Sequence, residues 1–455
     1  MNLPNYFLAD LPPEATLSPT MIAEACQTLK RNRERYLMNR STDGMVKVLS
    51  NVAESWLEPD YSFRKYALEL GPAQTGFPHA TLMRGLDDFF KQLTRENFHA
   101  LLIQEFGDAK RLDALTATPA DQKQNRLAIV NAPEFQVHIA AGNIPNPTLS
   151  SIVLGLLTRS AQFVKCASGA SFLPRLFAHS IYEADPKLGA CMEIAEWRGG
   201  NVELEKTLFA EADCVTATGD DETLAVIRAQ LPVKTRFLGH GHRVSFGYVA
   251  GEVLYGSRAK KIVAAAADDV VAWNQLGCLS PHVIYVQLGG EIAPEHFAQM
   301  LADELDKREA TNPRGELPAE HAAVIASRRG IYEVRAAHSP ETTRHWCSKN
   351  STAWTVVYEA ETRFQMSCLN RFIYVKAVSD LAAALRGADE IRGKVSTAGI
   401  AAPEEKTNEI AAQLARWGAT RVCPLGRMQN PPLTWRHDGR PALGDLVTWT
   451  DLEIE

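Results

Sequence analysis

WNQLGCLSPHVIYV, residues 273–286, is the stretch that decides how this chain is read. The residues before it, 259–271 (AKKIVAAAADDVV), have the spacing of a helix, and Val283, Ile284, Tyr285 and Val286 form a strand-like apolar run. Cys278 stands at the junction. Gly277 lets the backbone turn tightly before it, and Pro281 stops a helix from continuing after it. A thiol on such a bend can project into a cleft as a nucleophile. Free cysteines also serve as small buried hydrophobes, so the bend alone leaves both readings open.

Length and composition narrow the class. The chain of 455 residues can hold two or three domains, and its 45% hydrophobic and 22% charged content is that of an ordinary globular protein. A net charge of −6 argues against nucleic acid as the main partner. The first thirty residues lack a basic start followed by an apolar run, and the apolar stretch 152–157 is cut by Thr158 and Arg159, so neither a signal peptide nor a membrane span is expected. The eight cysteines contain no CxxC pair and no zinc spacing, which points to no metal and to a reducing, cytoplasmic setting.

Working outward, the pattern divides into four parts. Residues 1–130 read as a helical region: Ser18-Pro19 caps a first helix, and Leu82, Leu86, Phe89 and Phe90, then Leu101, Leu102 and Phe106, mark others. This part carries no obvious chemistry. In residues 131–246 short apolar strands alternate with helices: 137–141, 162–165, 202–204, 214–216 and 244–246 read as strands, and 152–157 as a helix. Such alternation implies a parallel sheet with crossover helices and predicts an α/β fold. A second cycle in 247–421 contains Cys278 and strands at 355–358 and 372–375, and 422–455 reads as strands and turns.

Several loops carry candidate chemistry. In HIAAGNIPNP (138–147), Asn143 follows a strand, where an amide can donate to an oxyanion or simply satisfy its own loop. FVKCAS (163–168) ends a strand with Lys165 and Ser168, and a lysine there either holds a nucleotide or is solvated. TATGDDET (216–223) turns at Gly219 with Asp220 as N-cap. Its free N–H groups could meet a pyrophosphate, provided that Asp220 and Asp221 point inward as caps. FLGHGHRVSFGYV (237–249) brings His240 and His242, which are either turn histidines or proton-transfer groups. His437, in WRHDG (435–439), reads as structural, and Asp268-Asp269 as a solvated helix face.

Taken in order, GNIP, VKCAS, ATGDDET, LGHG and GCLSP resemble the motif series of the aldehyde dehydrogenase superfamily. With SCLNRFIYV (367–375), VCPLGRM (422–428) and WRHDGRPALGDLVTW (435–449), the chain is similar to the bioluminescence-type long-chain acyl-thioester reductases. The resemblance implies a variant Rossmann domain facing an α/β catalytic domain, with an oligomer-forming tail. It implies Cys278 as nucleophile and Asn143 with the Cys278 amide as oxyanion hole. Lys165 and Ser168 would meet the adenosine ribose, and Gly219 and Asp220 would open the helix at the pyrophosphate.

Two departures from the superfamily pattern refine this. Ser168 stands where many oxidising members carry a glutamate that repels a 2′-phosphate, so NADPH is the expected cofactor. No carboxylate occurs in 238–248, where those members place the base that activates hydrolytic water. Its absence favours reduction of a fatty acyl thioester to aldehyde, with His240 or His242 protonating the leaving thiol. SCLNRF also lacks the glutamate expected at the nicotinamide ribose. The donor implied is acyl-CoA or an acylated partner protein, from an acyl-protein synthetase or an acyl carrier protein, and a homo-oligomer is expected. An aldehyde-oxidising dehydrogenase and an acyl-transfer protein that binds no nicotinamide are the competing readings.

Overall fold

The computed structural model describes residues 3–12 and 14–455. Five helices, Pro19–Tyr36, Thr42–Leu57, Ser62–Thr75, His79–Phe90 and Arg95–Phe106, open the chain. Ser18 caps the first by accepting from the Met21 N–H, with Pro19 beside it. These helices are no separate unit. Trp56 stacks on Phe90 at 4.9 Å, and its Nε1 donates to Ser180 Oγ at 2.8 Å, in the helix Phe172–Ala184. One apolar core therefore joins Leu49 and Phe90 to Ile152 and Phe177.

Five parallel strands form the first sheet, in the order Met192–Glu196, Ala161–Cys166, Phe135–Ile139, Cys214–Thr218, Arg236–His240. Residues 202–204, read from sequence as a strand, are instead the first turn of the helix Val202–Glu211. Asn201 caps the Leu204 N–H, and Glu203 and Glu205 favour the positive end of the helix, so capping outweighs the β preference of Val202.

Seven strands form the second sheet, in the order Val422–Pro424, Val395–Ala401, Val244–Val249, Pro281–Gln287, Phe372–Val378, Thr355–Glu359, Thr343–Cys347, with only the last antiparallel. Every residue of Phe372–Val378 is buried, as a strand covered on both faces requires. The helices Gly256–Val271 and Pro294–Thr311 cover one face, and Ala319–His338 and Glu404–Trp417 the other. Val244–Val249 belongs to this sheet, so a boundary at 246/247 passes through a strand. The tail runs back to pair Thr448–Glu453 with Arg126–Asn131, leaving Trp449, Leu452 and Ile454 exposed.

The sequence reading of Asp268-Asp269 as a solvated face is half wrong. Asp268 pairs with Arg84 and Arg308 near the surface. Asp269, 1% exposed, accepts from the Gly426 and Met428 N–H groups and ties the helix before Cys278 to the tail. Helix periodicity could not show that two tail N–H groups needed this carboxylate. No described helix is long and apolar enough to cross a membrane.

Candidate active site

After the helix Gly256–Val271 the chain does not turn at a glycine. Trp273, Asn274 and Gln275 take left-handed backbone angles (φ 49°, 49° and 66°), which cost energy for residues with a Cβ. A second left-handed run, Leu369, Asn370 and Arg371 (φ 57°, 54° and 66°), holds the first in place. Asn370 N–H donates to the Asn274 carbonyl at 3.0 Å and Arg371 Nε to Asn274 Oδ1 at 3.1 Å. Gln275 Nε2 donates to the Pro281 and Phe372 carbonyls at 2.7 and 2.9 Å. The segments NQLGC and LNRF thus clasp each other and set the cysteine. Gly277 lets Gln429 approach the turn closely, since a Cβ there would lie 2.9 Å from Gln429 Oε1 and push that side chain aside.

Cys278 is half-buried, and its carbonyl accepts from Ser245 Oγ at 2.8 Å. Burial pushes the thiol pKa up to about 11, and the Asp438 carboxylate adds to the rise, while Ser396 and Arg243 work the other way. Such a thiol needs a base before it can act as a nucleophile.

A mainly apolar cavity of about 220 Å³ opens beside Cys278. Phe89 and Leu93 from the N-terminal region, Pro147 and Leu154 from the helix Asn146–Leu157, and Leu433 and Leu446 from the tail form its walls. The region that showed no chemistry in sequence therefore shapes the site.

His240 and His437 line the same cavity. Their rings stack at 4.1 Å and 6°, and His240 Nδ1 lies 3.1 Å from Asp438 Oδ2. Burial and the neighbouring His240 hold the His437 pKa down at about 4. Burial opposes ionisation of Asp438, but the bond from His240 and the nearby cations win and lower its pKa. The ligand atoms of His240, His437 and Asp438 lie within 4.8 Å of one another. Face-to-face rings keep their in-plane lone pairs in separate, nearly parallel planes, however, and a metal needs them to converge on one point. The arrangement fits a carboxylate-oriented imidazole better. His242 is exposed and off the cavity, its N–H donating to Asp221 Oδ1 at 3.2 Å.

Asn143 reaches the cysteine turn: its Nδ2 donates to the Leu276 carbonyl at 2.9 Å, leaving one N–H unassigned. It borders a smaller cavity with Gly169 and Phe172, whereas Asn146, in the same loop, lines the large one. Sequence reasoning did not weigh Asn146, Ser396 or Asp438. Asp438 sits at φ 55° in the quoted WRHDG turn, which is the one signal that could have marked it.

At the other edge, Lys165 is 5% exposed with its Nζ 5.7 Å from the Trp197 ring centre. Burial lowers its pKa, while the charges of Glu205 and Glu196 act to raise it. It forms no ion pair among the described residues, so a buried ammonium is left for an anionic or hydroxyl-bearing ligand, which fits a nucleotide ribose or phosphate. Ser168 is exposed in the turn beyond it. Glu196 accepts from the Gly169 N–H at 2.7 Å and the Ser171 N–H at 3.3 Å, so a carboxylate stands at this turn after all, supplied by the next strand. Asp220 caps the helix Asp221–Gln230 through the Thr223 N–H at 2.6 Å, and Gly219 N–H donates to the His240 carbonyl at 3.2 Å.

The family model described as Acyl-CoA reductase (LuxC) matches residues 37–449. Among curated proteins, the chain is 25% identical over 328 residues to the long-chain acyl-protein thioester reductase of Aliivibrio fischeri, covering 70% of this chain and 63% of that protein. It is 23% identical over 322 residues to long-chain acyl-protein thioester reductase 2 of Photobacterium leiognathi, with the same coverage, 70% and 63%. The match thus spans less than two thirds of the length of these relatives. Among solved structures, a putative aldehyde dehydrogenase PutA from Anabaena variabilis superposes with a TM-score of 0.71 at 16% identity, over 97% of this chain and 94% of that one. The glyceraldehyde-3-phosphate dehydrogenase GapN of Methanocaldococcus jannaschii, complexed with NADP, gives 0.67 at 15%, over 96% and 95%. The fold is aldehyde-dehydrogenase-like.

Proposed function

The chain belongs to the acyl-CoA reductase (LuxC) family, and from that premise we propose that it reduces a long-chain fatty acyl thioester to the aldehyde through an acyl group carried on Cys278. The observation that carries this reading is the placement of Cys278, with an oriented imidazole, at the wall of a mainly apolar cavity.

His240, held through Nδ1 by Asp438, takes the proton from Cys278. The thiolate attacks the thioester carbonyl, and the oxyanion is met by the free N–H of Asn143 and the Cys278 amide. Collapse breaks the bond to the donor thiol, which leaves with the proton from His240. Lys165, Ser168, Gly219 and Asp220 would hold a reduced nicotinamide, which would supply the hydride for the acyl-enzyme. After reduction, loss of the aldehyde regenerates the Cys278 thiolate.

NADPH is the proposed cofactor on the strength of Ser168 and Lys165, although Glu196 partly opposes a 2′-phosphate. The donor is acyl-CoA or an acylated partner protein, charged by an acyl-protein synthetase or delivered by an acyl carrier protein. The exposed Trp449, Leu452 and Ile454 support a homo-oligomer formed through the tail.

One observation favours a second reading. The His240–Asp438 pair is also placed to take a proton from water as that water attacks an acyl-enzyme, and would then serve an aldehyde-oxidising enzyme. The products decide. Long-chain acyl-CoA with NADPH should yield aldehyde, and Cys278→Ala should abolish both acyl labelling and cofactor consumption. Acid formed from aldehyde and NADP without added thiol, with no aldehyde made from acyl-CoA, would overturn reduction.

A further inference from the structure

Three serine hydroxyls lie close to the bend that carries Cys278, and two of them are already engaged. Ser245 Oγ donates to the Cys278 carbonyl at 2.8 Å and accepts from the Thr397 N–H at 3.1 Å. Ser280 Oγ accepts from Gln429 Nε2. Ser396 differs. It is fully buried, and its Oγ has no hydrogen-bond partner among the described residues. An unpaired hydroxyl in the interior opposes folding, so Ser396 contributes nothing to the resting fold through that oxygen.

Strand register sets this residue apart. Val395 pairs with Val244 and Thr397 with Ser245, so Ser396 is an extra residue in its strand, a bulge. On the other side of Val244–Val249, Ser245 pairs with Pro281 and Phe246 with Val283, so His282 is extra as well. A bulge breaks the ladder and re-aims a side chain. The Ser396 carbonyl accepts from Thr420 Oγ1 at 3.0 Å, which anchors it. Because Ser245 Oγ joins Thr397 to Cys278, the bulge stands one residue from a bridge to the cysteine bend. Burial drives the thiol pKa up to about 11, and the Ser396 hydroxyl acts to lower it. That is the sign expected of a donor to the ionised sulfur.

We propose that Ser396 donates a hydrogen bond to Cys278 Sγ whenever that sulfur is ionised, and so stabilises the thiolate that begins and ends the reaction. This rests on the reading of Cys278 as the nucleophile. When His240 takes the thiol proton, the charge left on sulfur draws the free Ser396 O–H, a charge-assisted bond stronger than any to a neutral sulfur. The same bond forms at the last step. There the tetrahedral oxyanion reforms its carbonyl, the C–S bond breaks, its electron pair returns to sulfur and the aldehyde leaves. Thiol and thioester sulfurs are weak acceptors, so the hydroxyl favours the charged states over the resting and acylated ones.

Alkylation of Cys278 by iodoacetamide, followed on its own peptide by mass spectrometry, reads thiolate formation without substrate or cofactor. Between about pH 7 and 9 the rate follows the thiolate fraction. Ser396→Ala should lower that fraction about tenfold. A more basic sulfur is also more nucleophilic, so the observed rate should fall about threefold or more. Ser396→Thr keeps the hydroxyl and should restore most of the rate. The thermal unfolding midpoint of Ser396→Ala should equal or exceed that of the wild type, since no resting bond is lost. An alkylation rate unchanged by Ser396→Ala overturns the proposal. So does a lowered unfolding midpoint, which would give the hydroxyl a structural partner. If alkylation depends on Ser396 but the wild type reduces no acyl thioester, the reductase reading falls and the thiolate contact stands.

Discussion

Asp438 determines which nitrogen of His240 faces the cavity. With Nδ1 engaged by the carboxylate, Nε2 is the nitrogen left to exchange protons. Asp438→Asn keeps the shape but removes the carboxylate that orients the ring. The rate of Cys278 acylation should fall about a hundredfold or more, measured by single-turnover labelling. An unchanged rate and pH profile would remove Asp438 from the proton path. Asn143→Ala should lower kcat by about two to three orders of magnitude. If Asn146→Ala shows that loss while Asn143→Ala costs tenfold or less, the oxyanion donor is the asparagine on the large cavity. Glu196→Gln should move the kcat/KM ratio about tenfold toward NADPH, because it removes a negative charge from the turn that carries Ser168. No shift would place the 2′-position elsewhere. Glu196 escaped sequence reading because it reaches the turn across a strand pair, about thirty residues away in the chain.

At the scale of elements, the two left-handed runs work as one part. Asn274 accepts from Arg371 and donates to the Arg314 carbonyl at 2.9 Å, so it bridges the cysteine turn to two other segments. Asn274→Ala removes these bonds and leaves a strained backbone without a residue that tolerates it. It should destabilise the protein by about 2–4 kcal/mol in thermal or urea unfolding. A loss under about 1 kcal/mol would show that the clasp contributes little. The strands named from apolar spacing stand close to where they were read, with 202–204 the exception, where a local cap overrode residue preference, while Met192–Glu196, Arg236–His240, Thr343–Cys347 and Val395–Ala401 were not read from the sequence. The clasp was not legible, because its partners, 273–275 and 369–371, meet only in three dimensions.

Across the whole molecule, Asp269 links the second sheet's helix layer to the returning tail. Burial raises its pKa to about 7 from an ordinary value near 3.8. Between those values the folded chain keeps a proton that the unfolded chain releases, so stability present at low pH is lost as pH rises through the folded pKa. The wild-type Tm should carry this downward component between about pH 4 and 7, and Asp269→Asn should lack it. Identical pH dependence in both proteins would mean that Asp269 is ionised in the fold.

Local spacing by itself determined the alternating strands and helices and the position of Cys278 on a helix-to-strand bend, because periodicity and turn chemistry are short-range, while the aldehyde-dehydrogenase-like class came from the resemblance of the motif series. Tertiary structure alone decided that the N-terminal helices wall the cavity and that Asp438 holds His240. It also decided that a carboxylate stands beside Ser168. Each of these joins residues far apart in the chain, and no local pattern records such a meeting.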